Sequence, residues 1–170
     1  SNRSVTSLSA HFSNANASNQ PVFEFDYDSN PTELYLAVQK KDWDAAVAIA
    51  SDYPHEASTW VSRKESDGKL RWRLLPLHAA IIFKGPEKAV SALLGAFAHG
   101  AACKDDQGML PLHLAFRNGC DEKVVEMLLT AYPQSVDVQD RKGRTPMDLA
   151  QSSNHPNREA YIRALEKGPA

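Results

Sequence analysis

Histidines, cysteines and neighbouring carboxylates are the residues of this 170-residue chain that could do acid-base, nucleophilic or metal chemistry. Their spacing argues against all three. His78 and His113 each follow a Leu-Pro-Leu triplet and lie 35 residues apart, and a catalytic histidine needs an acid or nucleophile as partner. Recurrence at equal positions points instead to one shared architectural role. Cys103 and Cys120 stand alone, forming neither a paired-cysteine zinc motif nor a disulfide framework, so reduced thiols are expected. There is no Gly-rich phosphate loop and no nucleophile motif. Asp105-Asp106 and Ser66-Asp67-Gly68 read as turn chemistry, because Asp caps its own backbone and Gly accepts a left-handed conformation. No enzymatic activity, cofactor or metal site is therefore expected. What remains is recognition chemistry, carried by arginines and by apolar side chains placed where a fold would expose them.

Length and composition frame that reading. One domain with an ordinary core is expected, and a formal charge of −2 provides no global field to draw the surface onto nucleic acid. The apolar runs are brief, far short of the roughly 20 residues of a membrane helix. The opening Ser1-Asn2-Arg3-Ser4 has neither an initiating Met nor a secretory layout, so the chain reads as a piece of something longer. A cytoplasmic or nuclear location is expected. Asn2-Arg3-Ser4 and Asn16-Ala17-Ser18 fit the glycosylation pattern, but Asn, Ser and Ala dominate that stretch and chance matches are frequent. Residues 1–21 have too little large apolar surface to offset the entropy of ordering and are expected to be a disordered tail. Residues 22–29 follow as an extended arm, since Val22-Phe23-Glu24-Phe25-Asp26-Tyr27-Asp28 alternates aromatic and acidic groups with the period of a strand. The arm either packs on the first structured unit or acts as a docking peptide.

Self-similarity organises the rest. Leu75-Pro76-Leu77-His78-Ala79-Ala80 recurs as Leu110-Pro111-Leu112-His113-Leu114-Ala115 and again as Thr145-Pro146-Met147-Asp148-Leu149-Ala150, 35 residues apart each time. Glu87-Lys88-Ala89-Val90 aligns with Glu122-Lys123-Val124-Val125, and Asp105 and Gly108 align with Asp140 and Gly143. Each period opens with a proline in the first turn of a short helix, where its missing N–H costs nothing. A loop such as Asn118-Gly119-Cys120-Asp121 then supplies a helix stop and an N-cap. A second helix follows, apolar on one face through Val124, Val125, Leu128 and Leu129. Such a pair cannot bury its stripe alone, so pairs must stack. Thr32-Glu33-Leu34-Tyr35-Leu36-Ala37 begins a degenerate first unit, and Ala160, Tyr161, Ala164 and Leu165 end the array after one extra loop residue.

These motifs resemble the ankyrin repeat family, with its turn, two antiparallel helices and Thr-Pro-Leu-His-x-Ala signature. The Leu-Pro-Leu-His openings also look like the 35-residue variant common in algal proteins. The resemblance implies an all-α helical repeat solenoid of about four units over residues 30–167, at about 30–58, 75–104, 110–139 and 145–167, with residues 168–170 as the C-terminal end. Protein binding is the activity it implies. Two departures stand out. Leu75 and Leu110 have lost the motif hydroxyl, and Asp148 replaces the histidine where Thr145 keeps it, so a buried His78 or His113 must find other partners. The second departure is an insertion, for Tyr53 to Leu75 spans 22 residues against 13 from Phe97 to Leu110 and from Tyr132 to Thr145.

Residues 59–73 read as an enlarged β-hairpin around Ser66-Asp67-Gly68. With a three-residue loop, Trp60 and Trp72 share a face, and Arg63 lies opposite Arg71 beside a Glu65–Lys69 pair. A two-residue Asp67-Gly68 turn moves Trp60 to the other face. Carried over from the family, partner contacts fall on the hairpin tips and the exposed ends of first helices. Here those positions are Arg63, Arg71, Arg73, Ile82, Phe83, Arg117, Arg141, Lys142 and Arg144. Aromatic and arginine anchors dominate interface energetics. The expected partner is another protein with an acidic or mixed acidic and apolar segment, held by a monomer, with neither nucleic acid nor membrane involved. The alternative is an intramolecular regulatory or spacer domain.

Overall fold

The computed structural model describes residues 23–169. The tail expected over residues 1–21 lies outside them. A strand β1 (Phe23–Asp26) leads into helices α1 (Glu33–Gln39) and α2 (Trp43–Asp52), followed by the hairpin β2 (Thr59–Lys64) and β3 (Leu70–Leu74). Three further helix pairs follow: α3 (Pro76–Ile82) with α4 (Glu87–Ala96), α5 (Pro111–Asn118) with α6 (Glu122–Ala131), and α7 (Pro146–Ser152) with α8 (Arg158–Lys167). Short 3₁₀ turns at Pro54–Ser58, Ala98–Ala102 and Pro133–Asp137 close the second helices of the first three pairs. The chain is thus helical with a small three-stranded sheet, one strand more than the hairpin that the sequence implied.

The helices begin where local chemistry caps them. Thr32 accepts from the Tyr35 amide at 3.1 Å, Asp42 from Ala45 at 3.2 Å and Asp121 from Lys123 at 3.1 Å, each satisfying an amide the helix itself cannot. Pro76, Pro111 and Pro146 occupy first-turn positions. The first helices contact one another in the order α1, α3, α5, α7, and the second helices in the order α2, α4, α6, α8. Between the two rows runs one apolar core that includes Leu34, Val38, Leu77, Val90, Leu112, Phe116, Leu128, Leu129 and Tyr161.

His78 and His113 bind one pair to the next. Each Nδ1 accepts from the amide three residues earlier, Leu75 and Leu110, at 3.0 Å. Each Nε2–H donates 25 residues ahead, His78 to the Cys103 carbonyl at 2.8 Å and His113 to that of Val138 at 3.0 Å. The ring thus spends both nitrogens on backbone, its Nδ1 taking the part that the Asp148 carboxylate plays at the start of α7. Thr145 and Asp148 instead form a reciprocal cap at the start of α7.

Three turns project from this body. Asp105 Oδ1 accepts from the Gln107 and Met109 amides, and Gly108 donates to the Asp105 carbonyl. Asp140 repeats this with Lys142, Arg144 and Gly143. Gly108 and Gly143 take φ of 75° and 77°, which glycine adopts without a Cβ penalty. The hairpin tip uses the same turn, for Glu65 donates to Lys69 and Gly68 donates to Glu65. Tyr53 to Gly68 is 15 residues, against 11 from Phe97 to Gly108 and from Tyr132 to Gly143. Of the nine extra residues, four therefore precede the turn glycine and five follow it. That inequality is absorbed by a bulge: Val61 pairs with Leu74 and Arg63 with Trp72, but Lys64 pairs with Leu70, leaving Arg71 without an opposite.

Both hairpin registers read from the sequence are thus present, the three-residue loop at the tip and the alternative in the body. The faces follow from the second. Trp60 stacks on His78 at 5.6 Å while Trp72 stacks on Tyr35 at 5.6 Å, on opposite sides. The shared Trp60–Trp72 face and the Arg63–Arg71 pair do not form, because the bulge shifts every residue below it by one position.

Candidate interaction surface

The nine residues proposed from the sequence separate into two groups. The hairpin arginines face charge and aromatic rings of their own chain. Arg73 lies 3.8 Å above the Trp60 ring and pairs with Glu24 of β1. Arg63 lies 5.3 Å from the Tyr27 ring centre and 3.4 Å from Asp28. Arg71, exposed on the bulge, is 3.8 Å from Glu65. Burial raises the Glu24 carboxyl, but hydrogen bonds from Arg73 and Ser62 outweigh it and leave it below the ordinary range. These contacts attach the arm to the hairpin.

Ile82 and Phe83 end α3, half-buried and packed on the core. Ile82 forms part of a groove of about 260 Å³ together with Trp72, Leu74 and Leu114, between the hairpin and the Asp105 turn. Arg117, exposed near the end of α5, borders that groove and also the larger one beside it. Its guanidinium donates to Gln107 Oε1 at 3.0 Å.

The larger groove, about 910 Å³, gathers Arg117, Arg141, Lys142 and Arg144. Phe116, Met109 and Leu149 line its apolar part, and Ser152, Ser153, Asn154 and His155 its polar side. Asp140 sits beneath the basic turn. Burial pushes its carboxyl up, yet the Arg144 backbone and side chain and the Lys142 amide hold it below the usual range. Its bond to the Arg144 Nη2 is 2.7 Å. Arg144 is therefore balanced, whereas Arg117, Arg141 and Lys142 form no salt bridge among the described residues. Arg141 donates to the Asp106 carbonyl, which ties this turn to its predecessor. Asp106 also accepts from the Arg73 amide at 2.8 Å, so the three turns are linked in series.

Sequence reasoning did not single out Phe116, Leu149 or His155. The signal for His155 was the extra residue in the loop before α8, which lets the ring lean over Gly119 and stack on Tyr161 at 6.2 Å. Nothing in the spacing marked Phe116 as part of a groove rather than of the core.

Among the described residues no group of three or more His, Cys, Asp or Glu is placed to hold a metal ion. No described helix is long and apolar enough to cross a membrane. Burial lowers His78 to about 4 and raises the Cys103 and Cys120 thiols to about 11, so none is poised for chemistry at neutral pH. A family model described as ankyrin repeats (many copies) matches residues 77–129, from the start of α3 to near the end of α6. No curated protein matches the chain.

Proposed function

We propose that the chain, whose residues 77–129 match the ankyrin repeat family, is a non-catalytic binding module of about four stacked units, as the repeats of that family are in general protein-protein interaction modules. Its partner is another protein, engaged through an acidic or mixed acidic and apolar segment laid along the turns and first helices by a monomer. The observation that carries this reading is the larger groove, where Arg117, Arg141 and Lys142 form no salt bridge among the described residues and stand beside the half-buried Leu149, with Phe116 and Met109 buried beneath. A cationic rim beside a small apolar patch suits a segment that combines Asp or Glu with an apolar side chain. Ile82 and Phe83 extend the surface toward the hairpin. Of the nine residues first proposed, Arg117, Arg141 and Lys142 carry most of the weight, Arg144 being balanced by Asp140, while Arg63, Arg71 and Arg73 contribute at the edge.

An array of synthetic peptides graded in Asp and Glu content, with and without Leu or Phe, tests this. The protein should retain the acidic peptides that carry an apolar residue, and Arg141→Glu with Lys142→Glu should weaken that retention at least about tenfold, since like charges then face each other. Circular dichroism should be unchanged, and melting should fall only by what the exposed Arg141 bond to Asp106 contributes. Equal retention by the charge-reversed protein would sink the assignment. A second reading, an intramolecular regulatory or spacer role, draws on the arm, which already fills an edge of the hairpin in cis. Comparing peptide retention by this chain with that by any longer form separates the two.

A further inference from the structure

Strand β1 runs parallel to β2, with Phe23 opposite Thr59 and Asp26 opposite Ser62, and the ladder is extended by the Tyr27 amide donating to the Ser62 carbonyl at 2.8 Å. Its side chains enter sites that the body supplies. Glu24 accepts from Ser62 Oγ at 2.9 Å and pairs with Arg73. Tyr27 lies edge-on to Trp72 at 5.3 Å and to Tyr35 at 6.0 Å, beneath Arg63, with its hydroxyl accepting from Gln39 Nε2 at 2.6 Å. Asp28 pairs with Arg63. The receiving groups are held independently of the arm: Trp72 stacks on the buried Tyr35, Arg73 rests on the buried Trp60, and Val61 is fully buried.

The arm itself is lightly held. None of residues 23–29 is buried, the strand is four residues long, and its two ion pairs are a third to a half exposed. Exposed pairs contribute little, and segments with few buried contacts open far more readily than the fold as a whole. A preformed strand edge with a weak occupant is a site for β-strand addition, in which backbone bonds supply affinity and side-chain pockets supply selectivity.

We propose that the outer edge of β2 is a second docking site, distinct from the larger groove, and that β1 is its resident, displaceable occupant. The partner it fits is an extended segment of another protein, bound parallel to β2. It carries a carboxylate for Arg73, an aromatic ring three residues later for the Trp72–Tyr35 nest, and a carboxylate immediately after it for Arg63, the pattern Glu-x-x-Tyr-Asp. The arm then sets a threshold, since a tethered occupant competes at an effective concentration of about millimolar.

The test uses the full chain with Glu24→Lys and Tyr27→Ala, which weaken the arm while leaving the receiving residues intact. The probe is a labelled synthetic peptide of residues 21–31. Fluorescence anisotropy should show the variant binding this peptide at least about tenfold more tightly than the unaltered chain, as release of an in-cis competitor requires. A probe with Lys in place of Glu24 should lose that binding. Absence of saturable binding to the folded variant, or equal binding to both proteins, overturns the proposal. A concentration-dependent dimer of the unaltered chain that is lost in the variant assigns the edge to a second copy's arm and overturns the partner assignment. Hydrogen exchange on the unaltered chain guards against a misfolded variant. The Tyr27 amide should exchange at least about tenfold faster than the buried Cys120 amide, which donates to Ala115. Equal protection means that the arm does not open separately, and the proposal fails.

Discussion

At the scale of single residues, His78 shows how a titratable group becomes structural. It is fully buried between the Leu75 amide and the Cys103 carbonyl, with Trp60 stacked on its face and Arg73 beyond. Burial, reinforced by Arg73, lowers its pKa from 6.5 to about 4, although the bond to Cys103 opposes the shift. The unfolded chain therefore binds a proton that the folded chain refuses between those values. Stability is full above pH 6.5, falls as the pH drops toward 4, and levels below it, with a loss of up to about 3 kcal/mol from this residue. Burial lowers His113 as well, which adds in the same direction. Urea melts across this range and an NMR titration of the His78 ring check the expectation. A ring that titrates near its ordinary value would contradict it.

At the scale of elements, the informative comparison is among equivalent helix ends. Lys41, Lys84 and Gly119 each follow a first helix by the same register, and all three adopt left-handed backbone with φ of 58°, 56° and 71°. Only glycine does so without crowding its Cβ. Lys84→Gly should therefore stabilise the chain by up to about 1 kcal/mol, less the added entropy of the unfolded state. Gly119→Ala should do the reverse by more, because a Cβ there meets the His155 ring at 2.3 Å as well as paying the conformational cost. Chemical denaturation of the two single variants decides the matter. A stabilised Gly119→Ala would show that the ring moves aside freely. The hairpin teaches a related lesson, since a one-residue inequality between its arms became a bulge at Arg71 and moved Trp60 against His78.

At the scale of the whole molecule, stability depends on passing burial from one pair to the next. Tyr161 of α8 is fully buried, tilts against Phe116 of α5 at 4.9 Å and donates to the Cys120 carbonyl at 2.6 Å. Tyr161→Phe should cost about 1 kcal/mol or more through the orphaned carbonyl, and Tyr161→Ala about 3–5 kcal/mol through the cavity. If thermal melting of the second variant is unshifted, the last pair is not coupled to the core. Binding belongs to this scale too. A groove whose rim charges are Arg117, Arg141 and Lys142 should lose affinity for an acidic segment steadily as salt rises, because exposed charges are screened within about 10 Å at 0.1 M. Salt-independent affinity would assign binding to apolar contact around Leu149 instead.

Much of the helical architecture was legible in the residues because it is local chemistry repeated. Prolines opening first helices, Asp and Thr caps, glycine stops and one-sided apolar stripes each act within a few positions, and 35-residue recurrence made them conspicuous. The identity of the turn residues was legible for the same reason. What the chain alone left open was every relation between distant segments. Whether Trp60 faces Trp72 depended on where the bulge lies, which alternation alone does not specify. Whether Arg63 and Arg73 meet a partner or their own chain depended on β1 crossing to the hairpin, 35 and 49 residues away. Which arginines share a groove depended on the stacking of turns tied through Asp106. Those outcomes are set by tertiary packing, where side chains far apart in sequence compete for the same partners.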